Sequence, residues 1–389
     1  MIKGVRDNME KKMLCIEIGS QIAKVYFISY TKRKSQIDAY FQFDTPEDIV
    51  YDGAICNAVV FSRLLEDNMK KNCMILNSKL SNKKFTFFKN LTLEKLQKSA
   101  YKDMAFLVHS TKIIAKNDTI VSTRNANNRK TKQEIIKSFP VNKKMYSVFV
   151  EQDRKKLDKE EKKNGEKPYS LTAVPKKILE ECNEVSRKLN LRFAGINVVE
   201  NMYDSDFARR YKNITIIDIG MKKTVFIDVK NKEIVKKKVI MQGISEVVNS
   251  LIKHEVFGEY DEGSCCRILE KIKRRDCLNH GTDGEYEEDY KDLVIRKIQL
   301  LINEIQDVLK ELNFDKREDR KIFITGVGSK MCGIEKFMSK ILEADVKSVH
   351  EGVLYIEEGK LMDLEGDEKT PVIKNIHSNT SFVRTLLFG

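Results

Sequence analysis

Apolar residues in this chain come mostly in short β-branched runs closed by turn residues, and only a few stretches carry the three-and-four spacing of a helix. Residues 13 to 45 hold three such runs and predict three strands. A helix is expected over 57 to 71, carrying Val59, Val60, Leu64 and Leu65. Strands are expected at Met74 to Asn77 and Lys84 to Phe88, a helix start within 91 to 103, and a strand-like piece at Met104 to Val108. Ile178, Leu179, Cys182, Val185 and Leu189 have helical spacing, and Phe193 to Val199 reads as a strand. The longest helical pattern spans 294 to 312, with Val294, Ile298, Leu301, Ile305, Val308 and Leu312 at alternating spacings of four and three. A single helix of that length reads as a core helix rather than a coiled-coil seam. The polar run 122–132 and the charged run 153–167 are expected to be solvated loops of an insertion, because so many charges cannot be packed. The segment Thr380 to Phe388 carries Phe382, Val383, Leu386, Leu387 and Phe388 and is expected to pack on the core, with a terminal amphipathic helix that reaches a membrane as the alternative.

Within this pattern one arrangement occurs twice, about two hundred residues apart. Residues 14 to 24 and 214 to 224 each run from a β-branched stretch through an acidic residue, Ile and Gly into a second apolar stretch, which predicts a glycine-tipped β-hairpin. Glycine at such a tip lets the backbone approach a ligand and leaves its N–H groups free for an anion, while the preceding carboxylate (Glu17 or Asp218) can hold a hydrated metal. A third element, Lys321 to Ser329, is a strand running into Gly326-Val327-Gly328-Ser329, with a helical stretch from Gly333 to Leu342 behind it. Glycines before a helix suit the phosphate or ribose of a nucleotide.

The order of these three elements resembles the actin-like ATPase superfamily, and within it the PilM branch of type IV pilus assembly proteins, relatives of FtsA. Other collinear pieces carry the same resemblance: Asp52-Gly-Ala-Ile55 before the first long helix, Lys132 to Val141, Ala173 to Lys177, Gly195 to Glu200, Glu270-Lys-Ile-Lys273 and Glu304-Ile-Gln306. The resemblance implies an α/β, actin-like (ribonuclease H-like) two-domain fold with a small inserted α+β subdomain of the SHS2-like kind. Its first core domain would comprise 11–80 plus 190–212, the insertion 81–189, and the second core domain 213–389 with a helical subdomain at about 250–318.

The resemblance also implies ligands. ATP would lie between the halves, its phosphates held by Gly19, Ser20, Gln21 and Lys24 on one side and by Gly220, Met221, Lys222, Lys223 and Thr224, backed by Gly243, on the other. Asp218 and Glu17 would hold Mg2+ through water; Gly326, Val327, Gly328 and Ser329 would border the adenosine, with Glu270 and Lys273 on its ribose or base side. The chain departs from the family pattern at Glu17, where Asp is usual, at Met221-Lys222-Lys223, where small residues are usual, and at Gln242-Gly243 and Val327, where further glycines are usual. No positioned base for attack by water is visible, so hydrolysis is expected to be weak at most. The implied partner is the cytoplasmic tail of a membrane-anchored, PilN-like pilus protein, with self-association as a further expectation. An FtsA-like division filament and a nucleotide-free adaptor remain as alternatives.

Composition fits a large α/β protein: 41% of the 389 residues are apolar and 33% charged. No run approaches the roughly eighteen apolar residues of a membrane span, and no signal peptide is read, so the expected site is cytoplasmic; the resemblance implies a position peripheral to the inner face of the membrane. The net charge of +13 is spread along the chain without aromatic interleaving or a nucleic-acid-binding motif, which argues for an anionic membrane or acidic tail and against nucleic acid. The eight cysteines are scattered and expected to be reduced; Cys265, Cys266, Cys277 and His280 match no standard zinc spacing.

Overall fold

The computed structural model describes residues 10–30, 35–46, 48–72, 74–75, 87–88, 90–121, 128–152, 166–198, 213–230, 233–253, 278, 285–312, 321–348, 356–357 and 360–361. The chain opens with a meander of β1 (Lys11–Ile18), β2 (Ile22–Tyr30) and β3 (Ser35–Asp44), then a two-residue hairpin joins β4 (Val50–Tyr51) to β5 (Ala54–Ile55). Helix α1 (Ala58–Asn72) follows; the Asn57 side chain accepts from the Val60 amide at 3.1 Å, satisfying one of the helix's free donors. After β6 (Met74–Ile75) comes a short α2 (Leu93–Gln97), capped by Thr92, and then β7 (Asp103–Val108). An excursion through β8 (Ile114–Val121), α3 (Asn128–Ser138), β9 (Tyr146–Gln152) and β10 (Glu166–Pro175) returns to α4 (Lys176–Lys188) and β11 (Arg192–Val198).

The first sheet has the order β11-β7-β1-β2-β3-β6, with β7 and β11 parallel to β1 and the meander antiparallel. Its core holds Phe27, Phe41, Phe61, Phe88 and Phe106, against which α1 lays Phe61, Leu65 and Met69, four residues apart on one face. The buried Asp38 carboxylate accepts from the hydroxyls of Ser29 and Tyr101, so its desolvation is offset by hydrogen bonds; burial and that carboxylate together push the Tyr101 hydroxyl pKa well up.

The second lobe repeats the plan. A meander of β12 (Asn213–Ile219), β13 (Thr224–Lys230) and β14 (Glu233–Ile240) leads to α5 (Ser245–Lys253) and α6 (Glu285–Glu311). Then come β15 (Lys321–Thr325), a 3-10 turn at Val327–Lys330, α7 (Ile334–Leu342) and β16 (Val346–Ser348). The order β14-β13-β12-β15-β16 matches five of the first sheet's six strands, β3-β2-β1-β7-β11, with β15 and β16 parallel to β12 and, among the described residues, no counterpart of β6. Helix α6 buries Val294, Ile298, Leu301, Ile305 and Val308 in this core, with Leu312 just past its end, as expected of a core helix, and begins nine residues before the apolar pattern does because its first turns are charged.

Several boundaries move. The expected insertion at 81–189 is too wide: β7 pairs with β1 in the central sheet, and Ile178, Cys182 and Val185 of α4 are buried in the first core. What lies outside that sheet is the three-stranded β8-β10-β9 sheet with α3, whose own small core is Ile135, Phe139, Leu171 and Ala173. The polar run at 122–132 contains the start of α3, and Phe87 and Phe88 are helical rather than extended. The segment Thr380 to Phe388, most of 153–167, Glu270 and Lys273, and the Cys265–His280 group (Cys265, Cys266, Cys277 and His280) lie outside the described residues. Cys15 and Cys182 are buried free thiols whose pKa values burial raises. Among the described residues no helix is long and apolar enough to cross a membrane.

Candidate functional site

The two expected hairpin tips have the same geometry. In the first, the Gly19 amide donates to the Ile22 carbonyl at 3.1 Å and Ile18 pairs with Ala23; in the second, the Gly220 amide donates to the Lys223 carbonyl at 2.9 Å and Ile219 pairs with Thr224. Glu17 is thus equivalent to Asp218, Gly19 to Gly220, and Ile22 to Lys223. The tips face each other, and with the Gly326 turn they enclose one cavity of about 70 Å³.

Of the residues expected at a nucleotide site, Glu17, Gly19, Ser20, Lys24, Asp218, Gly220, Met221, Lys223, Gly326 and Val327 line this cavity. Ile18, Ile22, Gly53 and His109 line it as well and were not anticipated. Gln21, Lys222, Thr224, Gly243, Gly328 and Ser329 are not among the lining residues, and for four of them the reason is visible. The Thr224 hydroxyl turns away to donate to the Gln242 carbonyl at 2.8 Å, and that of Ser329 donates to the Gly326 carbonyl at 2.8 Å. Gly243 lies under the second tip, where Ile244 and Ser245 donate to the carbonyls of Gly220 and Met221; a Cβ on Gly243 would collide with both carbonyl oxygens. Gly328 lies against Ile219 and Ile244. These last two glycines serve packing of loop on loop.

The charges in the cavity are arranged differently from the expectation. Glu17 and Lys24 are direct cross-strand partners, and Lys24 Nζ donates to Glu17 Oε1 at 3.1 Å while the Tyr26 hydroxyl donates to Oε2 at 2.9 Å. The carboxylate expected at a metal and the ammonium expected at a phosphate therefore neutralise each other. Asp218 faces Val225 across its hairpin, so that position has no such cross-strand cation. Magnesium thus fits in part: Asp218 lines the cavity, whereas Glu17 is engaged by Lys24 and Tyr26. Among the described residues no group of three His, Cys, Asp or Glu side chains is placed to hold a metal by itself.

Lys223 crosses the cleft. Its Nζ donates to Asp52 Oδ1 at 3.0 Å and to the His109 carbonyl at 2.6 Å, both in the first lobe. Asp52 sits in the β4–β5 turn with φ 48° beside Gly53 with φ 72°, the left-handed pair that an Asp-Gly hairpin turn requires. Burial pushes the Asp52 carboxyl up, but hydrogen bonds from Thr111 and the Lys223 ammonium outweigh it and hold the pKa below its ordinary 3.8. Ile22 crosses in the other direction and is buried in the core of the second lobe. The sequence signal for Asp52 was the Asp-Gly dipeptide between apolar residues; nothing in the sequence pairs it with Lys223.

Two lobes built on the same meander-plus-parallel-strand sheet, with a small α/β insertion in the first and a glycine-lined cleft between them, define an actin-like fold. A solved structure agrees. The PilM–PilN type IV pilus biogenesis complex matches with a TM-score of 0.58 and 12% identity, covering 87% of this chain and 88% of that one. The ethanolamine utilization protein EutJ from Carboxydothermus hydrogenoformans matches with a TM-score of 0.48 and 11% identity over 87% of this chain and 84% of that one. MreB 5 of Spiroplasma citri bound to AMPPNP matches at 0.43 and 11% identity over 87% and 91%. No family model matches the sequence, and no curated protein matches it. The chain has the actin-like fold that PilM has.

Proposed function

We propose that this chain is an ATP-binding, actin-like scaffold that works at the inner face of a cell membrane, in an assembly platform of the type IV pilus kind, gripping the cytoplasmic tail of a PilN-like membrane-anchored protein. Nucleotide in the cleft switches that grip by changing the angle between the lobes. The observation that carries the reading is the convergence of both glycine tips and the Gly326 turn on one cavity holding Asp218, Lys24 and Lys223. Ser20 would present its backbone N–H to phosphates, the Gly19 and Gly220 amides being already bonded to the Ile22 and Lys223 carbonyls; Lys223 would supply a cation, as would Lys24 on leaving Glu17, and Asp218 would orient hydrated magnesium. Bound magnesium would supply charge neutralisation of the phosphates. The likeness to the PilM–PilN complex supports the choice of partner.

The test is calorimetry with Mg-ATP on the native chain and Asp218→Ala, followed by pull-down of a PilN-like tail with and without ATP. Binding that the substitution abolishes supports the reading; absence of binding in the native chain refutes the switch. A nucleotide-free adaptor is the second reading, favoured by the cavity volume of about 70 Å³, against about 300–1,000 Å³ for small-molecule sites. On that reading the tail is retained equally with and without ATP.

A further inference from the structure

The Lys223–Asp52 contact is built differently from a surface ion pair. Both side chains are largely buried, 11% and 8% exposed, and they belong to opposite lobes. Asp52 is held by more than its cation: it accepts from the Ser110 hydroxyl at 3.0 Å, from the Thr111 amide at 3.1 Å and from the Thr111 hydroxyl at 2.7 Å. The turn is pressed onto the segment that supplies these donors, since a Cβ on Gly53 would collide with the His109 carbonyl. Asp52 is thus held by three hydrogen bonds that do not involve Lys223 and that remain when Lys223 leaves. Burying a carboxylate usually makes loss of its cation expensive; three remaining donors remove most of that cost.

Lys223, for its part, stands at the turn whose Gly220 lines the cavity, so the same ammonium can serve either a carboxylate or a phosphate oxygen. We infer that the Lys223–Asp52 bridge is a latch that holds the lobes closed over the cavity, and that a nucleotide phosphate opens it by taking Lys223 from Asp52. Asp52 is then a gating residue of the nucleotide site, one that competes with the ligand rather than binding it. The inference rests on the nucleotide reading for its opening step, and on geometry alone for its closing step.

The test compares the full-length native chain with Asp52→Asn and Lys223→Met. Asn tolerates the left-handed conformation at position 52 and keeps the turn. Hydrogen exchange of the tip amides, residues 19–22 and 220–223, reads closure without any ligand; calorimetry with Mg-ATP reads the competition. Asp52→Asn is expected to raise tip exchange about tenfold and to tighten Mg-ATP about five- to tenfold, since the binding-competent fraction is no longer held down. Lys223→Met is expected to raise exchange equally while leaving Mg-ATP no tighter than native, because the phosphate partner is gone. Unchanged exchange in both variants overturns the latch. Faster exchange with unchanged ATP affinity in Asp52→Asn overturns the competition. If no chain binds Mg-ATP, the nucleotide reading fails, and exchange alone then decides whether the bridge closes the lobes.

Discussion

Ile22 and Lys223 occupy the same place in two hairpins of the same geometry, and each reaches into the opposite lobe, yet one is apolar and the other charged. Ile22 ends in the second lobe's core and Lys223 ends on Asp52. Each tip is also treated differently at its acidic position: Glu17 is neutralised across the hairpin by Lys24, while Asp218 faces Val225. The repeated backbone supplies a clamp, and the side chains divide its labour. The first tip places an apolar anchor across the cleft; the second places there a cation, which can exchange one anionic partner for another. An apolar contact has no alternative partner among phosphates, whereas an ammonium does, so of the two cross-lobe contacts only that of Lys223 can respond to ligand.

The largest effect is expected where the anchor is removed. Ile22→Ala deletes a side chain that is 3% exposed and should cost about 3 kcal/mol. Lys223→Met at the equivalent position should cost about 1 kcal/mol, since Asp52 keeps its other donors. Denaturant unfolding of both variants checks the difference. Equal losses would mean that the two tips are not functionally distinct.

The sequence carried this comparison as far as the backbone and no further. Both hairpins, the core helix at 294–312 and the Gly326 turn were legible because period-two runs ending in glycine and four-three apolar spacing are local signals. The widths of the insertion and of α6 were not, because β7 pairs in parallel with β1 across about ninety residues and the first turns of α6 are charged. At the site, the residue types lining the cavity could be read from the motif, but the pairing of Lys24 with Glu17 and of Lys223 with Asp52 depends on register and lobe closure. The resemblance implies phosphate-side roles for Gly243 and Thr224, but glycine and threonine suit packing equally well, and packing takes both.

A middle-sized effect separates the supports under the two tips. Gly243 does not need an unusual φ, yet a Cβ there meets two carbonyl oxygens of the second tip, so Gly243→Ala should cost about 2 kcal/mol through displacement of that loop. Under the first tip the corresponding brace is Thr45, whose amide donates to the Gln21 carbonyl at 2.8 Å and whose hydroxyl donates to the Gly19 carbonyl at 3.3 Å. Thr45→Ala removes only the hydroxyl bond and should cost about 1 kcal/mol. Thermal unfolding of the two variants measures both, and a larger loss at Thr45 would reverse the assignment of the tighter support to the second tip.

The smallest effect is confined to acid. The Asp52 pKa in the folded chain lies below its ordinary 3.8, so its contribution to the closed state is complete above that value and is lost as pH falls through the folded one. Ile22 has no titrating group and should hold the lobes across the same range. The stability difference between the native chain and Asp52→Asn is therefore expected to be constant from about pH 7 down to about pH 4 and to shrink below, because protonated Asp52 and Asn are both neutral. Unfolding midpoints of the two chains at matched pH supply the measurement. A difference that keeps its full size below about pH 3 would mean that Asp52 acts through its turn geometry alone, and the charged tip would then be as passive as the apolar one.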